Sequence, residues 1–282
     1  MKKIIFIIAT MIILMSSFVA TNAITTSDKG QTEKTISITT TEFTHAVFIE
    51  EGTASWCPSC PSAAEALYSL YTTSEYPFYF VAFVSDLNSL ASDRFWGHYR
   101  GVAIPTIFID GGFSQYVGTG GTPQRTEDLY RPFIEEAGER TVHPLELTAN
   151  VVGHGNAKLD LTITVKNNGS KPYFGYVRSY VTEIVSRWNN QQGDPYHFGF
   201  LDYAIKKILF LAPQESQIFT MTWDGTTNHR DLTFPDIVDD NIMIVTAVAH
   251  WQPHFTAKEE YIGSHFSFYI DQTIGALVEQ IR

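Results

Sequence analysis

Only two cysteines occur in 282 residues, Cys57 and Cys60. That scarcity excludes a framework of structural disulfides, which needs pairs spread along the chain. It also excludes a four-cysteine zinc site. Positive charge is equally short: 19 Lys and Arg stand against 30 Asp and Glu, a net charge of −11. No basic cluster offers a nucleic-acid surface, so that class of partner is excluded. The sequence has no Gly-rich phosphate loop, no Ser-based nucleophile motif, no internal repeat and no long low-complexity segment.

Long apolar runs are absent except at the N terminus. Lys2-Lys3, the run from Ile4 to Leu14 and the small residues ending at Ala23 read as a secretory signal over 1–23. The competing reading is an uncleaved anchor, since Ile4 to Ala20 is close to the shortest spanning length. Either way the chain is expected to be extracytoplasmic or secreted. Residues 24–42, rich in Thr, Ser, Lys and Glu, read as a tether or an edge strand.

What the sequence does hold is apolar mass. Hydrophobic residues make up 44% and aromatics 14%, enough for real cores and for two domains. His45 to Glu51 and Tyr79 to Val84 are apolar on both faces and read as strands covered on both sides. Between them, Ala63, Ala66, Leu67 and Leu70 repeat at the spacing of one helical face. A weaker helical pattern follows from Leu87 to Tyr99. Asp110-Gly111-Gly112 separates two apolar runs as a hairpin turn does. Thr122-Pro123 opens a helix to about Glu139, which Pro132 is expected to kink. From Val142 short alternating runs take over, with Asn168-Gly169 as a hairpin turn and Phe200 to Phe210 as a short inserted helix. The expectation is therefore an α/β domain over 43–142 and an all-β immunoglobulin-like sandwich over 143–282.

The two cysteines stand in Trp56-Cys57-Pro58-Ser59-Cys60, after a strand and before a helix. A thiolate is the nucleophile of thiol–disulfide exchange, and a helix N-terminus lowers a thiol's pKa. With Cys57 as N-cap and Pro58 at the first helical position, Cys57 would be the exposed attacking sulfur and Cys60 the resolving one. Three other readings compete. Half a zinc site needs partners, and His250 and His254, spaced i, i+4, lie in the other predicted domain. An inert disulfide would close too short a loop to stabilise much. Haem attachment fails because Pro61 stands where histidine is required.

Trp-Cys-x-x-Cys after a strand, with Ile104-Pro105-Thr106 opening a downstream hairpin, resembles the thioredoxin superfamily over roughly residues 43–140. The resemblance implies a thioredoxin-like fold for that region and a cis bond between Ile104 and Pro105 facing the dithiol. It also implies a buried proton-accepting acid at Glu51, six residues before Cys57, with Glu50 pointing to the other side. Trp56, Ile104, Pro105 and Gly118 would form the surface that meets a substrate backbone. The two-part layout and the Glu50-Glu51 pair are similar to the twenty-eight-kilodalton outer-membrane-protein family. Together these predict an exported thiol–disulfide oxidoreductase of reducing or intermediate potential. Its partners would be protein thiols and disulfides, including a protein electron donor or acceptor. It would need no metal and no organic cofactor, the Cys57–Cys60 pair being the redox group. The alternative is a secreted binding protein on a redox-inert platform. Electron direction, substrates and oligomeric state are not encoded in any motif.

Overall fold

The computed structural model describes residues 43–258 and 263–280. The predicted signal and tether lie outside the described residues. The N-terminal half contains β1 (Val47–Thr53), α1 (Cys60–Thr72), β2 (Phe78–Val84), α2 (Ser89–Ser92), a π-helical turn (Asp93–His98), β3 (Thr106–Ile109), β4 (Ser114–Val117) and α3 (Pro123–Gly138). Then come β5 (Leu145–Gly153), β6 (Lys158–Asn167), β7 (Tyr173–Asn189), β8 (Pro195–Leu211), β9 (Ser216–Asp224) and β10 (Ile242–His250). The chain closes with β11 (His254–Thr256), β12 (His265–Ser267), β13 (Ile270–Leu277) and β14 (Glu279–Gln280).

The expected architecture, a thioredoxin-like α/β domain followed by a separate immunoglobulin-like sandwich, is corrected by the sheet order. One mixed eight-stranded sheet runs β13-β10-β7-β8-β2-β1-β3-β4 through both halves of the chain. The join is parallel, with Ala82 of β2 opposite Gly199 of β8. The buried Asn88 amide reinforces it, donating to the carbonyls of Phe200 and Leu201 at 2.9 Å each. A second sheet, β14-β5-β6-β9, packs over the C-terminal part of the first. Among the described residues strand is the dominant structure, and the α-helices all come from the N-terminal half of the chain.

Two cores share the large sheet. In β10, Met243, Val245, Ala247 and Ala249 face a core with α1, α3, β1 and β2, while Ile242, Ile244 and Val248 face the second sheet. A strand covered on both sides has no need of polar alternation, which explains why Thr246 alone interrupts the apolar residues from Ile242 to Ala249. The first core also takes Tyr180, Phe198 and Phe200 from β7 and β8. It therefore crosses the boundary expected near residue 142.

Two local expectations also change. Phe200 to Phe210 is strand, not helix. Opposite β7, Tyr180 pairs with Tyr203 and Ser179 with Ile205, while Val181 pairs with Asp202 and Thr182 with Phe200. Ala204 and Leu201 are thus extra residues at two bulges, and two bulges convert period-two alternation into a spacing that imitates a helix. Asn168-Gly169 joins strands of different sheets and is not a hairpin turn between paired strands. Asn167 shapes it, donating to the Lys171 carbonyl at 2.8 Å and accepting from the Gly169 N–H at 2.9 Å. By contrast, β3 and β4 pair antiparallel across Asp110-Gly111-Gly112 as expected. Helix α3 runs unbroken through Pro132.

Adjacent acids on β1 face opposite ways, as strand geometry requires. Glu50 accepts from Arg94 Nε and Arg94 Nη2 at 2.7 Å each, and also from the Tyr99 hydroxyl. Side-chain exposure is 6% for Arg94 and 1% for Glu50, so the pair is enclosed. Removing one member of a buried, bidentate pair strands the other without compensation. Arg94→Ala is expected to lower unfolding stability by about 3–5 kcal/mol, read as a shift in the urea midpoint at constant slope.

Candidate functional site

Cys57 and Cys60 form a disulfide. It closes the loop between β1 and α1, in which the Cys57 N–H donates to the Ala54 carbonyl at 3.2 Å. Helix α1 starts at Cys60 with Ser59 as N-cap, and no side chain caps it. Cys57 therefore lies two residues before the N-cap and three before the first helical residue, which corrects its expected place as N-cap. Pro58 is not the first helical residue either. Pro61 stands second in the helix, where its missing N–H would have had no intrahelical partner, which accounts for its tolerance there. The expected open sulfur is corrected as well. Cys57 is 2% exposed and Cys60 0%, whereas Trp56 is 60% exposed and Pro58 and Ser59 are also exposed.

Ile104 packs on the Ala54, Cys57 and Cys60 cluster. The Ile104–Pro105 peptide bond is cis, and β3 begins at the next residue. The Pro105 carbonyl accepts the Gly118 N–H at 2.8 Å, so the loops carrying Pro105 and Gly118 are tied together. Gly118 has φ of +94° and open space where a Cβ would stand, as a surface that meets another backbone requires. Of the expected contact residues, Trp56 precedes the disulfide and is exposed, Ile104 packs on it, Pro105 follows Ile104 through the cis bond, and Gly118 is tied to Pro105.

Glu51 is 0% exposed, and neither carboxyl oxygen has a hydrogen-bond partner. Burial alone pushes its pKa up to about 8. At neutral pH the group keeps its proton, because an uncompensated buried carboxylate is far costlier than a neutral acid. Two tyrosines bracket it. Tyr130 of α3, held well above the usual phenol range by burial and then by Glu51, donates to the Gly118 carbonyl at 3.2 Å. Tyr196 of β8 is raised by burial, with Glu51 and Asp86 adding to the effect, and donates to the Ala54 carbonyl at 2.9 Å. Each tyrosine thus feels Glu51, Tyr196 holding the disulfide loop at Ala54 and Tyr130 holding the Gly118 loop.

Neither tyrosine is legible as a site residue in the sequence. The sequence pattern places the apolar face of α3 on Leu129, Phe133 and Ala137, whereas the buried face carries Tyr130 and Ile134. Tyr196 is 142 residues from its acceptor, and no motif links the two. His250 and His254, weighed as metal ligands, contact each other at 3.1 Å between their Nε2 atoms, and His250 Nδ1 faces Asp271 at 3.1 Å. Among the described residues no group of three or more His, Cys, Asp or Glu side chains converges as a metal site. No helix among them is long and apolar enough to cross a membrane. A formed disulfide agrees with an extracytoplasmic location.

No protein family matches the sequence, and no curated protein does. Among solved structures, an Agrobacterium tumefaciens protein aligns over 84% of this chain and 97% of its own, at 15% identity and a TM-score of 0.42. A domain of the outer membrane lipoprotein Omp28 from Porphyromonas gingivalis aligns over 50% of this chain and 93% of its own, at 12% identity and 0.28. The CARDB domain of a Pyrococcus furiosus protein aligns over 48% and 85%, at 16% identity and 0.24. At these scores no activity follows for this chain.

The raised Glu51 pKa fixes the sign of a pH effect. Between pH 4.5 and about 8 the unfolded chain releases this proton while the folded chain retains it. Stability is then lost as pH rises through that window, by up to about 1.4 kcal/mol per pH unit from this group. Urea titrations of the wild type and Glu51→Gln across pH 4 to 9 measure it. The difference is expected to move in the variant's favour between those limits and to be flat outside them.

Proposed function

We propose that the protein is a thiol–disulfide oxidoreductase acting on protein disulfides. The observation that carries this reading is the Cys57–Cys60 disulfide next to loops held by two tyrosines that bracket a buried, unpartnered Glu51. A carboxyl group near pH 8 is close to the ordinary thiol pKa of about 8.5, so a proton passes between the two at little cost.

In the reducing direction the Cys57 thiolate attacks one sulfur of a partner disulfide. A mixed disulfide forms and the first partner thiolate leaves. Cys60 then gives its proton to the ionised form of Glu51 and attacks the Cys57 sulfur. The Cys57–Cys60 bond forms, the second partner thiolate leaves, and the partner has gained two electrons that the dithiol has lost. A protein thiol donor would return the pair to the dithiol. No step needs a metal or an organic cofactor. Trp56, Ile104, Pro105 and Gly118 would form the contact surface for the partner's backbone. The near-complete burial of Cys57 requires that this surface yield during attack.

Replacing Cys60 by Ser removes the resolving thiol and should leave partners bound through Cys57. Incubating reduced Cys60→Ser with oxidised protein substrates is expected to give mixed disulfides that dithiothreitol releases and Cys57→Ser does not form. Their absence would favour the binding-protein alternative. In the otherwise intact dithiol, Glu51→Gln should slow resolution by roughly tenfold or more and remove the rate inflection near pH 8.

A further inference from the structure

Tyr196 enters the site from the C-terminal half of the chain, and the thiol chemistry above does not call on its hydroxyl. That hydroxyl is nonetheless the middle of a buried chain of hydrogen bonds. Thr53 Oγ1 donates to it at 3.0 Å, and it donates to the Ala54 carbonyl at 2.9 Å. The same carbonyl accepts the Cys57 N–H at 3.2 Å. Ala64, Ala82 and Val84 pack around the ring, and Tyr196 is 0% exposed. Ala54 is itself 1% exposed, so this hydrogen bond is enclosed.

The loop from Ala54 to Ser59 changes its restraints with redox state. In the oxidised protein the Cys57–Cys60 bond ties it to the first residue of α1. In the dithiol that tie is gone. The hydrogen bonds that remain include the Cys57 N–H to Ala54, the Ser55 N–H and Ser55 hydroxyl to the Asp86 carboxylate, and Tyr196 to Ala54. Both Asp86 bonds are exposed and the Tyr196 bond is buried, so the latter exchanges least readily for water.

We propose that Tyr196 is a positioning residue for the dithiol, which anchors Ala54 and keeps Cys57 within closing distance of Cys60 once the disulfide is reduced. The proposal rests on the reading of Cys57–Cys60 as a reversible redox couple. Its sign follows from the restraint. A loop already ordered in the dithiol loses less freedom on ring closure, so the effective concentration of one thiol at the other is high. Freeing the loop lowers that concentration and favours the dithiol.

The test is the equilibrium in which the dithiol and oxidised glutathione give the intramolecular disulfide and two molecules of reduced glutathione. The full chain is equilibrated over a range of glutathione ratios and trapped by alkylation. For Tyr196→Phe the constant for disulfide formation is expected to fall roughly three- to tenfold, the factor set by one buried hydrogen bond. Tyr173→Phe is the control: it deletes a hydroxyl that is also buried but bonds Asp271 at 3.0 Å, in contacts separate from the disulfide loop. It should leave the constant unchanged. Should Tyr196→Phe not fold, Thr53→Val removes the donor that orients the hydroxyl and should shift the constant the same way by less. A Tyr196→Phe constant within twofold of wild type, or an equal fall in Tyr173→Phe, overturns the proposal. So does an unshifted Thr53→Val constant where Tyr196→Phe does not fold. A wild-type disulfide that dithiothreitol reduces only when the protein unfolds overturns both this proposal and the oxidoreductase reading.

Discussion

The parallel join between β2 and β8 governs the rest of the architecture. It is short, with one register pair at Ala82 and Gly199, and the Asn88 amide braces it on two carbonyls of β8. Because of it β2 is an interior strand, and its apolar run is covered on both faces. Tyr196 and Phe198 reach the N-terminal core from the strand that makes this join. Without the join, Thr53 and Ala54 would lose the Tyr196 hydroxyl, and Glu51 would lose one of its two flanking tyrosines. The surroundings of Cys57 therefore depend on a strand from the other half of the chain.

Neighbouring residues on β1 show how a single step along a strand separates two roles. Glu50 points into a cage of Arg94, Tyr99 and Tyr180, where charge is met by charge and by hydroxyls. Glu51 points the other way into surroundings that offer its oxygens nothing. The first arrangement holds the fold together. The second keeps its proton through neutral pH, and stability falls as pH rises from 4.5 to about 8. A residue that costs stability in this way is a candidate for function, because packing alone would favour an apolar side chain there.

Much of the site was legible because its parts are local. The strand before the motif, the helix after it, the Asp110-Gly111 hairpin and the opposed faces of Glu50 and Glu51 all follow from short-range periodicity and turn chemistry. The cis bond before Pro105 and the burial of Glu51 came through resemblance, since no local pattern encodes either. The misreadings have physical causes. Leu201 and Ala204 occupy bulges, which erased the strand period of β8 and made it look helical. The helix began three residues later than Cys57, so the dipole argument belonged to Cys60. The fusion of two expected domains into one sheet was illegible because it rests on a pairing between distant segments. Apolar runs show that a strand is covered on both sides, but not what covers it.

Catalysed reduction of insulin disulfides with dithiothreitol as donor tests the central claim most directly. The account predicts turnover by the wild-type protein well above the dithiothreitol background and its loss in Cys57→Ser. Equal rates for the wild type, Cys57→Ser and the background would contradict it.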